Sequence, residues 1–216
     1  MPCETQLVAA RERFLAGGHY EFLAEAVAQR VQGEAVCEVG AGTGYYLSRA
    51  ISDSRFGLAT DVSTAACRRA AKCHPRVAAV VADTWAGLPI RDHSFDTVLC
   101  VFAPRNTAEF ARILRPAGRL IVVSPRQDHL IELRESAGLL DIEANKDERI
   151  VESLSESFRL IGRCVLCDRL KLTREQARDL VGMGPNAFHS AKLPSADTEA
   201  TAAVTVWTWE PQEARY

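Results

Sequence analysis

Between residues 35 and 125, short apolar runs alternate with helix-forming segments, and this alternation restricts the fold more than any other feature of the chain. Ala35 to Val39, Phe56 to Thr60, Val77 to Ala82, Phe95 to Val101 and Leu120 to Val123 read as strands. Helices fall from about Tyr45, from a Ser63 cap through Arg68 and Lys72, and from Thr107 to Leu114. Strands joined through helices pair in parallel by right-handed crossovers, which predicts an α/β, doubly wound sheet covered on both faces. Ahead of it, Leu7, Val8, Phe14, Leu15, Phe22, Leu23, Val27 and Val31 keep mostly helical spacing, and Gly17-Gly18 divides them into two helices. Arg115-Pro116-Ala117-Gly118 reads as a turn into the fifth strand. Beyond Pro125 the pattern predicts helices from about His129 and over Lys146 to Ser157, a strand from Leu160 to Leu172, and a helix from Arg174 to Val181. A last strand, Ala202 to Trp209, is expected antiparallel to its neighbour, after a loop over 190–200.

A chain of 216 residues, 47% apolar and 25% charged, suits one globular domain. Its formal charge of -2 gives no global footprint for nucleic acid but leaves a local basic face open. The start Met-Pro-Cys-Glu-Thr does not resemble a secretory signal, and no apolar run is long enough to span a bilayer, so a cytoplasmic protein without membrane partners is expected. Seven cysteines, an odd number, suit reduced buried thiols. Cys164-Val-Leu-Cys167 has ligand spacing, but it falls in a strand with no second Cys or His pair nearby, so no metal site is expected.

Glu38-Val39-Gly40-Ala41-Gly42-Thr43-Gly44-Tyr45-Tyr46, between the first strand and its helix, is the most informative string. In open α/β sheets ligands lie outside the carboxyl ends of the strands, at the switch point where such a turn sits. A dinucleotide fingerprint needs a third glycine where Tyr45 stands. Gly40-x-Gly42-x-Gly44 behind Glu38 instead resembles the first motif of class I S-adenosylmethionine-dependent methyltransferases, with a Rossmann-like fold. In that resemblance Asp61, closing the second strand, accepts the ribose hydroxyls, and Asp83-Thr84 holds the adenine. Alone, either aspartate reads equally well as a cap or turn residue.

Further strings resemble one narrow family, the bacterial large-subunit (23S) ribosomal RNA guanine-N1 methyltransferases, in particular the macrolide-resistance branch. They are Ala10-Arg11-x-x-Phe14-Leu15-x-x-Gly18-His19-Tyr20, Val101-Phe102-Ala103-Pro104-Arg105-Asn106, Arg112-Ile113-Leu114-Arg115-Pro116, Val123 to Leu130, and Met183-Gly184-Pro185-Asn186-x-Phe188-His189. The resemblance implies that Tyr20, Ala41, Gly42 and His129 touch S-adenosylmethionine, and that residues 1–34 form a helical lid on a methyltransferase domain of 35–216. It also implies an N-terminal zinc module of Cys-x-x-Cys followed by Cys and His, for which this sequence offers only Cys3. Ribosomal RNA is thus the expected acceptor, with a small molecule of specialised metabolism as the alternative. A protein that keeps the cofactor fold without methyl transfer is a third reading, and a homodimer is left open.

The loop after the fourth strand is where class I enzymes present the acceptor. Phe102, Pro104 and Arg105 are therefore substrate candidates, while Asn106 and Asp128 are the catalytic candidates, with His129 beside them. Pro104 and Asn106 equally fit a turn and a cap for the Thr107 helix. Arginines concentrate over 105–134 and 163–178, with an acidic block over 135–156, which reads either as a solvated mixed surface or as phosphate contacts around a cleft.

Overall fold

The computed structural model describes residues 3–143, 145–184 and 193–212. Two helices open the chain, α1 (Glu4–Ala16) and α2 (Glu21–Ala28), parted at the two glycines as expected. Then follow β1 (Ala35–Val39), α3 (Tyr45–Ala50), β2 (Phe56–Asp61), α4 (Thr64–Ala70), β3 (Val77–Val81), β4 (Phe95–Val101), α5 (Thr107–Ile113) and β5 (Leu114–Pro125). The C-terminal part comprises α6 (Ile131–Ala137), α7 (Lys146–Leu154), β6 (Phe158–Leu172), α8 (Arg174–Gly182) and β7 (Thr198–Pro211).

The strands form one seven-stranded sheet in the order β3-β2-β1-β4-β5-β7-β6. The first five run parallel, and β7 lies antiparallel between β5 and β6. From β1 the chain winds outward through β2 and β3, then returns to place β4 on the other side of β1, so the switch point lies between β1 and β4. Central strands alternate their side chains between two cores. Ile121, Val123, Val204 and Val206 pack with Phe14, Tyr20 and Leu23 of the N-terminal helices, whereas Leu120, Val122, Trp207 and Trp209 pack with Phe110, Ile150 and Leu154 on the other face. The opening helices are thus part of the core on the cavity side of the sheet.

Three sequence expectations need correction. Arg115 to Gly118 do not turn the chain but belong to β5, which begins at Leu114 and shifts register opposite Phe95 and Thr97. Asp96 holds this irregular stretch by pairing with Arg115 and accepting the Glu34 and Ala35 amides at 2.9 Å. Residues 198–201 are not loop but strand, because the long edge strand β6 offers them a full ladder. Cys167 is exposed and Cys164 only half-buried, since β6 is an edge strand, and Cys3 is exposed as well. Among the described residues no group of three His, Cys, Asp or Glu is placed to hold a metal, and no helix is long and apolar enough to cross a membrane.

Candidate functional site

The turn after β1 is shaped by glycines at positive φ. At Gly42 (φ +57°) an added Cβ would stand 2.6 Å from Nη1 of Arg11, and at Gly40 (φ +69°) 2.5 Å from Cβ of Ala103. The turn therefore lies directly under a cation from α1 and against the loop that follows β4. Gly44 caps α3 and lies close to α4. Asp61, at the end of β2, accepts the Gly42 amide through Oδ2 at 2.8 Å and the Ser63 amide through Oδ1 at 2.9 Å. Glu38 is buried and accepts the Leu47 amide at 3.0 Å, and burial pushes its carboxyl up to about 8. It is therefore largely protonated at neutral pH unless a cation approaches.

Above this turn lies a cavity of about 500 Å³. Its lining includes Arg11, Tyr20, Glu38, Gly40 and Ala41, from the N-terminal helices through the turn, and Phe102, Arg105, His129 and Lys146 from later in the chain. The Nδ1 of His129 accepts the Ala203 amide at 3.1 Å, which leaves the ring hydrogen on Nε2, 3.4 Å from the Tyr20 hydroxyl. Burial lowers the imidazole to about 4, so the ring is neutral near pH 7. Phe102 is held at φ +53°, with its ring centroid 5.9 Å from His129 and 6.2 Å from Tyr20. It remains 41% exposed, an aromatic face presented beside the cavity.

Other expected site residues lie beyond the cavity lining. Asp83 is exposed and accepts the Trp85 amide at 2.9 Å, in an Asp turn at the end of β3. Thr84 is buried with no partner for its hydroxyl among the described residues. Asn106 donates to the Thr84 carbonyl at 2.7 Å and accepts the Glu109 amide at 3.3 Å, so both ends of its amide are used in joining the β3 end to α5. Pro104 is exposed and its carbonyl accepts the Cys100 thiol at 3.5 Å. Asp128 is half-exposed and paired with Arg126 at 3.4 Å, and it does not line the cavity.

Two cavity cations escaped the sequence reading of the site. Arg11 belongs to one of the strings that carry the family resemblance, and its Nη2 donates to the Met183 carbonyl at 3.0 Å, tying α1 to the end of α8. Lys146 opens α7, and only the packing of that helix over the β4 and β5 ends brings it in.

Residues 36–118 match the methyltransferase domain family. The chain is 42% identical to a Micromonospora griseorubida protein provisionally named a 23S rRNA (guanine-N1) methyltransferase, over 93% of this chain and 76% of that protein. It is 40% identical to the 23S rRNA (guanine(748)-N(1))-methyltransferase of Streptomyces fradiae, over 96% of this chain and 80% of the relative. The chain belongs to the 23S rRNA (guanine-N1) methyltransferase family. Among solved structures, a chain from the complex of the Haloferax volcanii Trm112 methyltransferase activator with a methyltransferase superimposes with a TM-score of 0.65 at 19% identity, covering 99% of this chain and 100% of that one. An Aquifex aeolicus SAM-dependent methyltransferase gives 0.54 at 13% identity over 87% and 89% of the two chains. These likenesses establish the class I fold. As a family member the protein is an S-adenosylmethionine-dependent methyltransferase. The site suits that donor: the cavity offers the Arg11 cation, which has no ion pair among the described residues, and the buried Glu38 carboxyl, while beyond its lining stand Asp61 and the Thr84 hydroxyl, unpartnered among the described residues.

Proposed function

We propose that this enzyme methylates N1 of a guanine in large-subunit ribosomal RNA, with the base drawn out of its stack and laid against Phe102. The single observation that carries the acceptor side is the Phe102 ring, held out in a left-handed backbone conformation beside Tyr20 and His129 at the cavity. The names of the relatives at 40–42% identity support the same reading. An aromatic face of this kind favours an unstacked base.

In this reading the cofactor runs along the strand ends. Asp83 and Thr84 take the adenine, Asp61 the ribose hydroxyls, and the turn from Gly40 through Ala41 and Gly42 to Gly44 lies under the amino-acid end. Arg11 is set to meet the cofactor's carboxylate, and Glu38 its ammonium, which would draw the carboxyl back to its ionised form. Bound S-adenosylmethionine supplies an electrophilic methyl group on its sulfonium. The protein's own contribution is placement and the exclusion of water, which in favourable systems is worth roughly 7–11 kcal/mol. Tyr20 and His129, both buried and neutral, close the wall around the transfer point without adding a charge that would oppose the sulfonium. The helices of residues 1–34 serve as the lid that carries Arg11 and Tyr20. Asn106 acts as a positioning residue, since its amide holds Thr84 and the loop of Phe102, Pro104 and Arg105. Asp128 is left as an acceptor for the N1 proton only if the loop after β5 turns it inward.

The test is transfer of radiolabelled methyl to protein-free ribosomal RNA from a strain lacking the modification, beside a desalted metabolite extract. Label at one guanine is the expected result. Label confined to the metabolite fraction would replace RNA with a small-molecule acceptor.

A further inference from the structure

The acceptor side of the cavity has an unbalanced charge. Arg105, from the loop after β4, and Lys146, from the first turn of α7, both line it, and neither side chain has a hydrogen bond or ion pair among the described residues. The acids nearby are taken: Asp141 pairs with Arg134 at 3.5 Å, Glu143 with Arg149 at 2.6 Å, Asp147 with Arg163 at 2.7 Å and Asp128 with Arg126 at 3.4 Å. Lys146 is half-buried, and its ammonium is pushed down first by that burial and then by the Arg105 guanidinium, which Glu143 and Asp147 offset only in part. Two cations lining one partly dry cavity repel, and an anion between them would relieve that repulsion.

We infer that Arg105 and Lys146 together bind one phosphate group of the acceptor strand, the phosphodiester adjoining the base that stacks on Phe102. Arg105 offers a planar fork to two phosphate oxygens and Lys146 a point charge. Because both are fixed on the rim that Phe102 shares, the contact sets how far the extruded nucleotide enters, so it positions the base as well as attracting the strand. The inference rests on the reading of the acceptor as RNA.

Binding of a fluorescent, unmethylated stem-loop of large-subunit ribosomal RNA, measured by anisotropy over a range of salt, tests it. Arg105→Met and Lys146→Met should each weaken binding about tenfold or more and flatten the dependence of log affinity on log salt by roughly 0.7–0.9, the share of one phosphate. The double variant should flatten it no further, because the two side chains share that phosphate. Lys146→Arg should keep the wild-type slope, which separates lost charge from a damaged α7. A second arm does not depend on RNA: acylation of Lys146 by an amine-reactive ester, read by mass spectrometry against Lys72 and Lys171, should be slowed by inorganic phosphate in the wild type but not in Arg105→Met. Protection by phosphate without stem-loop binding would keep the phosphate site and remove the RNA reading. Unchanged salt slopes in both single variants, or no phosphate protection, would overturn the site.

Discussion

Gly42→Ala is the substitution whose outcome the geometry specifies most closely. The added Cβ would sit 2.6 Å from Nη1 and 3.2 Å from Cδ of Arg11, where ordinary contact starts at 3.4 Å, so the guanidinium must retreat by about 0.8 Å. That retreat strains its 3.0 Å bond to the Met183 carbonyl. The backbone adds a cost of its own, about 1–2 kcal/mol for an alanine held at φ +57°. For a chain of this size that corresponds to a fall in Tm of roughly 2–8 °C. Calorimetric titration with S-adenosylmethionine should show affinity reduced about tenfold or more, roughly 1.4 kcal/mol, because the displaced cation no longer faces the cofactor's carboxylate. Arg11→Ala should cause a similar loss without the strain. The two changes act through one guanidinium, so the double variant should bind about as well as the weaker single one, with a coupling of about 1 kcal/mol or more. Additive losses would refute the idea that Gly42 is small in order to admit Arg11.

Asp61→Ala should weaken S-adenosylmethionine binding by about 1.5–3 kcal/mol in the same titration and loosen the turn, since it removes the acceptor of the Gly42 and Ser63 amides. Asn106→Ala should cost stability, about 1–3 kcal/mol in denaturant melts, through the lost α5 cap and Thr84 contact, and Asn106→Asp should recover the capping part alone. The buried pair His129 and Glu38 should set opposing pH dependences. His129, lowered to about 4 from an ordinary 6.5, gives stability that is present above pH 6.5 and lost as the pH falls toward 4, about 3 kcal/mol in all. Glu38, raised to about 8, gives stability that is present below pH 4.5 and lost as the pH rises through 8. Glu38→Gln should therefore expose a rise in stability with pH between 4 and 6.5 that is muted in the wild type, and a flat profile in that variant would contradict the assignment of His129.

The sheet was legible because its strands are short apolar runs bounded by turn and cap residues. Ser63 accepts the Ala66 amide, and β4 spans Phe95–Val101 as read. The start of β5 was hidden because Pro116 and Gly118 signal a turn, while Asp96, on another strand, holds them in the ladder. Around the cavity, spacing marked the glycines of the turn after β1 and Asp61, which accepts the Gly42 amide. What spacing could not supply was the third dimension: the close approach of Arg11 to Gly42, and the entry of Lys146 into the cavity that Arg105 also lines, depend on how α1 and α7 pack. Asn106 shows the reverse case, in which both readings of the residue were available and the structure engages it as a cap.

The His129 ring joins parts of the chain that are made at different times. It touches Tyr20, near the first helix, and accepts a hydrogen bond from Ala203 in β7, which follows β5 and β6 in the chain yet fits between them. Until that strand is threaded between β5 and β6, His129 has no donor to fix its tautomer and Tyr20 has no wall to close against. The donor pocket is therefore finished only once β7 has taken its place, and a chain that has not yet inserted this strand lacks the contact that orients His129 against Tyr20.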